Sequence, residues 1–339
     1  MSRDSLRARV EKLLFVKAMN LRPSLQRRLA GRPVVRDGQT LAVDTQLMLR
    51  LNQLAGEADP SKLPLEQGRA ALLRQSLIGG GEQKLGSVRS LTVAGRSARL
   101  YIPNGAPAVG PLLVFFHGGG FVYGDLSSHE ASCRFVADRA GVRILSVDYR
   151  LAPENPFPAA YDDAVAAFEW ALDHASEIGA DPARIGVGGD SAGGNLAAGV
   201  ALVACERCAF QLLIYPVVDM TADTESKRLF NLGFYLTQDF MDTAEKCYIP
   251  DGTDKRDPRL SPFFADVPEG VAPAYLCTAG FDPLRDEGEA YARKLEDAGV
   301  KVELRRFPDQ IHGFFNVISA GRTARAAVEA IADALKAGL

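Results

Sequence analysis

Long apolar runs are missing from this chain. Nothing approaches the roughly 18 consecutive apolar residues that a membrane-crossing helix requires, which excludes a spanning segment from the reading. Leu13-Leu-Phe-Val16 is too short for the apolar core of a leader peptide and no small-residue cleavage site follows, so a cytoplasmic chain is expected. An overall basic field is lacking too: 39 Lys and Arg stand against 42 Asp and Glu, for a net charge of −3, and this argues against nucleic acid as a partner. The local exception is residues 1–50, with eleven basic against four acidic residues, which reads as a solvated helix face rather than a membrane contact. Cysteines are few and odd in number (Cys133, Cys205, Cys208, Cys247, Cys277), and read as buried thiols of a reducing compartment. Cys205-x-x-Cys208 has the spacing of a redox or zinc pair, yet no second Cys or His pair lies nearby, so no metal site is expected. Histidine is scarce, with only His117, His129, His174 and His312.

What is present suits one large α/β domain with an extra subdomain, or two small domains: 339 residues, 47% of them hydrophobic, build a sizeable core. Residues 1–85 carry helical periodicity without strand signals. Leu6, Val10, Leu13, Leu14 and Ala18 share one face, and further helices are expected at 45–54 and 65–77, broken at Asp59-Pro60 and ended by Gly79-Gly-Gly81. This segment reads as a helical cap on residues 86–339. From Gly86 the pattern turns to strands, with a hairpin of 87–93 and 98–102 around Ala94-Gly95. Short continuous apolar runs follow at 112–116, 143–147, 185–188, 211–215, 274–278 and 301–307, as expected for parallel strands covered on both faces. Helical patterns at 130–140, 159–178, 195–204, 285–298 and near the end of the chain alternate with them, predicting an α/β fold. Residues 219–265 interrupt the rhythm and read as an insertion that helps the cap, weakly helical near 238–248.

Within the run Gly186 to Gly194, Gly189-Asp-Ser191-Ala-Gly193 sits between a strand and a helix. Small residues there let the chain turn sharply enough to lift one serine hydroxyl above the sheet, so Ser191 is a candidate nucleophile. The pattern alone also fits an ordinary tight turn. A serine needs a base held by a carboxylate, in the chain order Ser, Asp or Glu, His. Only His312 follows Ser191, in a loop just beyond a strand. Twelve aspartates lie between the two, but Asp282 comes directly after an apolar strand and before a helix, with Asp286 as the alternative. His117-Gly-Gly-Gly120-Phe121 follows another strand and offers unblocked amides for an oxyanion, completed by Ala192. It lacks the phosphate-loop patterns.

Taken in order, His117-Gly-Gly-Gly-Phe121, Asp148-Tyr-Arg-Leu-Ala-Pro-Glu154, Gly189-Asp-Ser-Ala-Gly-Gly194, Asp282-Pro-Leu-Arg-Asp286 and His312-Gly-Phe314 resemble the hormone-sensitive-lipase-like carboxylesterases, bacterial family IV. The resemblance covers residues 86–337 and implies an α/β-hydrolase fold with a mostly parallel twisted sheet of about eight strands, flanked by helices. It implies Ser191, Asp282 and His312 as the triad, Gly119, Gly120 and Ala192 as oxyanion donors with Gly118 close by, and a structural role for His117 and residues 149–154. It further implies hydrolysis of short- to medium-chain esters without metal or organic cofactor, and is compatible with a homodimer through a sheet edge. Rival readings are an amidase or deacetylase using the same residues, a membrane-attached lipase resting on the basic segment, and a non-catalytic receptor like those for gibberellin, which lack the histidine retained here as His312.

Overall fold

The computed structural model describes residues 15–339, so the expected helix face of Leu6, Val10, Leu13 and Leu14 lies outside the described residues. In chain order the strands are β1 (Val35–Arg36), β2 (Gln39–Thr40), β3 (Ser87–Val93), β4 (Arg96–Ile102) and β5 (Gly110–Phe116). They continue with β6 (Arg143–Val147), β7 (Ala180–Asp190), β8 (Gln211–Ile214), β9 (Ala274–Phe281) and β10 (Val302–Ile311). Strands β3 to β10 form one sheet in the order β10-β9-β8-β7-β5-β6-β4-β3. Only β4 runs against the rest, antiparallel to both of its neighbours β6 and β3.

The continuous apolar runs are explained by two-sided covering. Side chains alternate across a strand, so Leu112, Val114 and Phe116 of β5 join one core cluster while Leu113 and Phe115 join the other. The helices in chain order are α1 (Pro23–Ala30), α2 (Val43–Leu54), α3 (Leu65–Gly80), α4 (Glu130–Ala140), α5 (Ala159–Asp173), α6 (Ala175–Ile178), α7 (Ala192–Ala204), α8 (Glu225–Phe230), α9 (Gln238–Tyr248), α10 (Arg285–Asp297) and α11 (Arg322–Gly338). Phe168 of α5, Val200 of α7 and Leu295 of α10 pack into the first cluster. Val136 of α4 and Ile331 of α11 pack into the second. The single helix expected over 159–178 is broken at His174 into α5 and α6.

The N-terminal segment is anchored to the sheet by polar contacts. Asp44 of α2 accepts the backbone amides of Arg322 (2.7 Å) and Thr323 (3.0 Å), the first two residues of α11, where a carboxylate answers the unpaired amides and positive end of a helix. Asp37 pairs with the buried Arg285 of α10 at 2.7 Å. Met48 and Leu47 of α2 share a third apolar cluster with Phe230, Phe234, Phe281 and Ile311. Between β1 and β2, Asp37 (φ 53°) and Gly38 (φ 69°) make a tight turn, a hairpin inside a segment expected to be purely helical.

All five cysteines are free, but only Cys133, Cys208 and Cys277 are buried. The expectation of five buried thiols is corrected at Cys205, just past the end of α7, and at Cys247, on the partly exposed α9. Among the described residues no group of three or more His, Cys, Asp or Glu is placed to hold a metal, and no helix is long and apolar enough to cross a membrane.

Candidate active site

Three strands of the parallel part of the sheet end where chemistry-bearing residues begin. Ser191 follows β7, Asp282 follows β9 and His312 follows β10, the carboxyl ends at which open α/β sheets bind ligands. Ser191 takes φ 56° and ψ −117°, a conformation that L residues rarely adopt. The turn is held by the Ser191 amide donating to the Ile214 carbonyl (2.9 Å) and the Asn195 amide donating to Ser191 O (3.1 Å). Its flanking glycines are sterically required: a Cβ at Gly193 would lie 1.9 Å from the Phe116 carbonyl oxygen, and one at Gly189 would lie 2.3 Å from Gly193.

His312 Nε2 lies 2.9 Å from Ser191 Oγ, and His312 Nδ1 lies 2.8 Å from Asp282 Oδ2. Asp282 is fully buried, and its other oxygen accepts the Leu284 amide at 2.8 Å. A carboxylate can only accept, so the imidazole proton sits on Nδ1 and Nε2 keeps a lone pair for the serine hydroxyl. Asp286, the alternative acid, is turned elsewhere: it accepts the Ser226 amide (2.8 Å) and the Arg285 Nε proton (2.8 Å).

The glycine loop after β5 approaches the same point. Gly119 has φ 123° and Gly120 φ 63°, and a Cβ at Gly119 would fall 2.2 Å from the Tyr123 carbonyl oxygen. Among the described residues no protein acceptor takes the amides of Gly119, Gly120 or Ala192. Gly118 differs and corrects the expectation that groups it with the donors. Its amide donates to Asp190 Oδ1 at 2.8 Å, so it anchors the loop instead of facing a ligand.

Behind the loop lies a layer of buried polar side chains. Asp190 also meets His129 Nε2 at 3.1 Å and accepts the Tyr215 hydroxyl at 3.3 Å. Burial would raise the Asp190 carboxyl pKa, but the adjacent His129 and the Gly118 amide outweigh that and lower it. His117 stacks on Tyr149 with centroids 4.4 Å apart, and the Tyr149 hydroxyl donates to the His117 carbonyl at 2.7 Å. Burial, then the proximity of His129, push the His117 imidazole down to about 4, so it is neutral at physiological pH. Nothing in the local sequence marks His129 as part of this layer. The only available signal was Asp190 itself, a carboxylate that burial obliges to find partners.

A cavity of about 940 Å³ opens over Ser191, His312 and Gly118–Gly120. Its walls come from both pieces outside the strand–helix rhythm: Leu41, Leu72 and Ser76 from the N-terminal segment, and Phe234, Leu236 and Phe240 from the insertion. These pieces touch directly, through Thr237 Oγ1 donating to Asp59 (2.6 Å) and an exposed Lys62–Asp239 ion pair (2.8 Å).

Comparison with known proteins gives a consistent result. A profile for the alpha/beta hydrolase fold matches residues 113–316. The chain is 43% identical to the carboxylic ester hydrolase LipN of Mycobacterium tuberculosis, over 96% of this chain and 90% of that protein. It is 36% identical to an ethyl acetate hydrolase of Pseudomonas putida, over 83% and 90% of the two chains. Among solved structures, an ester hydrolase from the metagenome of Lake Arreo, complexed with a bipyridine phosphonate derivative, superposes with a TM-score of 0.84 at 39% identity, covering 88% of this chain and 98% of that one. With the eight-stranded sheet and the serine at its sharp turn already in place, these likenesses fix the family: the chain belongs to the hormone-sensitive-lipase-like carboxylesterases of the α/β-hydrolase superfamily and is an ester hydrolase.

Proposed function

We propose that this esterase hydrolyses short- to medium-chain acyl esters by two acyl-transfer steps through Ser191, His312 and Asp282. The observation that carries the reading is the unbroken hydrogen-bond chain from Ser191 Oγ through His312 to the buried Asp282. His312 Nε2 takes the serine proton as Oγ attacks the ester carbonyl, and the tetrahedral oxyanion is received by the amides of Gly119, Gly120 and Ala192. The proton then passes from His312 to the leaving alcohol. Water repeats the sequence on the acyl-enzyme, returning the acid and free serine. Asp282 holds the Nδ1 proton and stabilises the imidazolium without taking the proton.

Residues up to about 85, helped by 219–265, form in this reading a cap over a catalytic domain of residues 86–339. In support, both segments wall a cavity whose roughly 940 Å³ matches a whole small-molecule ligand rather than an open groove for long chains. The test is hydrolysis of p-nitrophenyl esters from acetate to palmitate by the wild type and by Ser191→Ala. Turnover should peak at short or medium chains and fall by about 10⁵- to 10⁶-fold in the variant. Retained turnover in folded S191A refutes the nucleophile. A palmitate optimum refutes the chain-length assignment.

A further inference from the structure

The acyl-transfer reading gives no role to His129, which is 2% exposed yet lines the cavity beside the glycine loop. Its hydrogen-bond partners determine its protonation. On the Nδ1 side, Ser128 Oγ lies 2.9 Å away. That hydroxyl has a single hydrogen, and the Asp125 carbonyl, which can only accept, lies 2.8 Å from the same oxygen. Ser128 Oγ also accepts the Asp125 amide at 2.9 Å. With its hydrogen on Asp125 O, Ser128 Oγ has one lone pair remaining, and it points to Nδ1. Nδ1 must donate.

On the other side, Nε2 is 3.1 Å from Asp190 Oδ1, an oxygen that already accepts the Gly118 amide. A carboxylate oxygen at that distance demands a donor. One end of the Asn316 carboxamide lies 3.0 Å from Nε2, and its other end lies 2.6 Å from Ser132 Oγ, which in turn reaches the Phe315 carbonyl at 3.0 Å. Turning the Asn316 oxygen toward Nε2 lets its NH₂ donate to Ser132 Oγ and Ser132 donate to Phe315 O, so every group is satisfied. Either neutral tautomer of His129 leaves a lone pair facing a lone pair inside the protein, whereas the doubly protonated ring leaves none. Buried polar groups are rarely left in such contacts.

We infer that His129 is held as an imidazolium paired with the Asp190 carboxylate, and that this buried pair is the positioning element that fixes the Gly118–Gly120 loop for the reaction. The chain of action is direct: His129 fixes Asp190, Asp190 holds the Gly118 amide, and the next two amides are thereby aimed. The positioning part rests on the reading of Gly119 and Gly120 as oxyanion donors.

Two measurements test it. In long-range ¹H–¹⁵N spectra of histidine-labelled wild-type enzyme at pH 7.5, with His129 assigned through its contacts to Ser128 and Phe115, both ring nitrogens should carry protons. A single protonated nitrogen overturns the inference, and this readout needs no variant. The second compares p-nitrophenyl butyrate turnover per active site, counted by phosphonate titration, for the wild type, His129→Gln and the uncharged pair His129→Gln/Asp190→Asn. Misaimed donors should lower kcat per titrated site by about 10- to 100-fold in both variants with KM little changed, because the contact forms in the transition state. Fewer titratable sites with unchanged kcat per site would mean a merely structural pair and overturn the positioning role. Failure of the acyl-transfer reading would show separately, as turnover persisting in S191A.

Discussion

Ser191 carries a backbone strain that can be measured apart from its chemistry. Substituting alanine or glycine removes the same hydroxyl and the same 2.9 Å contact with His312, so those losses cancel between the two variants. What remains is the conformation at φ 56°, ψ −117°. A residue with a Cβ pays about 1–3 kcal/mol there, and glycine removes that while adding about 0.5–1 kcal/mol of unfolded-chain entropy. Ser191→Gly should therefore be more stable than Ser191→Ala by about 1 kcal/mol. Urea melts followed by Trp170 fluorescence give the assay: Trp170 is the sole tryptophan and stacks on His174, 4.3 Å between centroids, remote in sequence from the change. Equal stability, or a more stable alanine variant, would refute the claim that the turn stores strain.

Two further outcomes follow from the site. Asp282→Asn should lower kcat by about 10⁴-fold through loss of the required tautomer, while Asp286→Asn, whose carboxylate serves Ser226 and Arg285, should stay near wild type in the same ester assay. His117 makes stability pH-dependent with a definite sign. Above its ordinary value of 6.5 the ring is neutral folded and unfolded, and no effect arises. As the pH falls from 6.5 toward about 4, the unfolded chain binds a proton that the buried ring refuses, so stability is lost at about 1.4 kcal/mol per pH unit. The stability advantage of the wild type over His117→Asn should shrink by about 2 kcal/mol between pH 7 and pH 5 in urea melts; an unchanged difference would refute the depressed value.

The central strands were legible because two-sided burial writes itself as uninterrupted apolar runs, and the reading of 143–147 coincides with β6 residue for residue. Ends were less so. The runs read as ending at Thr278 and Phe307 extend to Phe281 and Ile311, because after an irregularity beyond Phe307 the two strands pair once more, Ile311 opposite Phe281, which an apolar run cannot announce. In β1–β2 the Asp37-Gly38 turn was a real signal, but strands of two residues give no alternation to read. The placement of Ser191, Asp282 and His312 followed from chain order and from position after strands. Gly118 was grouped with its neighbours because a motif of identical glycines does not say which amide a side chain 72 positions away will claim. His129 was invisible for the same reason, its partners Asp190 and Asn316 being contributed by distant parts of the chain.

The division of the cavity walls has a consequence for how such an enzyme changes over generations. Ser191, Asp282 and His312 stand on the ends of hydrogen-bonded strands, where a single replacement disturbs a ladder shared by many residues. Leu72, Leu236 and Phe240 come from segments outside that ladder, which meet each other through side-chain contacts such as Thr237–Asp59 and Lys62–Asp239. On the proposed mechanism, substitution can therefore explore new acyl and alcohol groups on one set of residues while bond-breaking stays invariant on the other. Diversification of substrate scope and preservation of chemistry become separable traits within one chain.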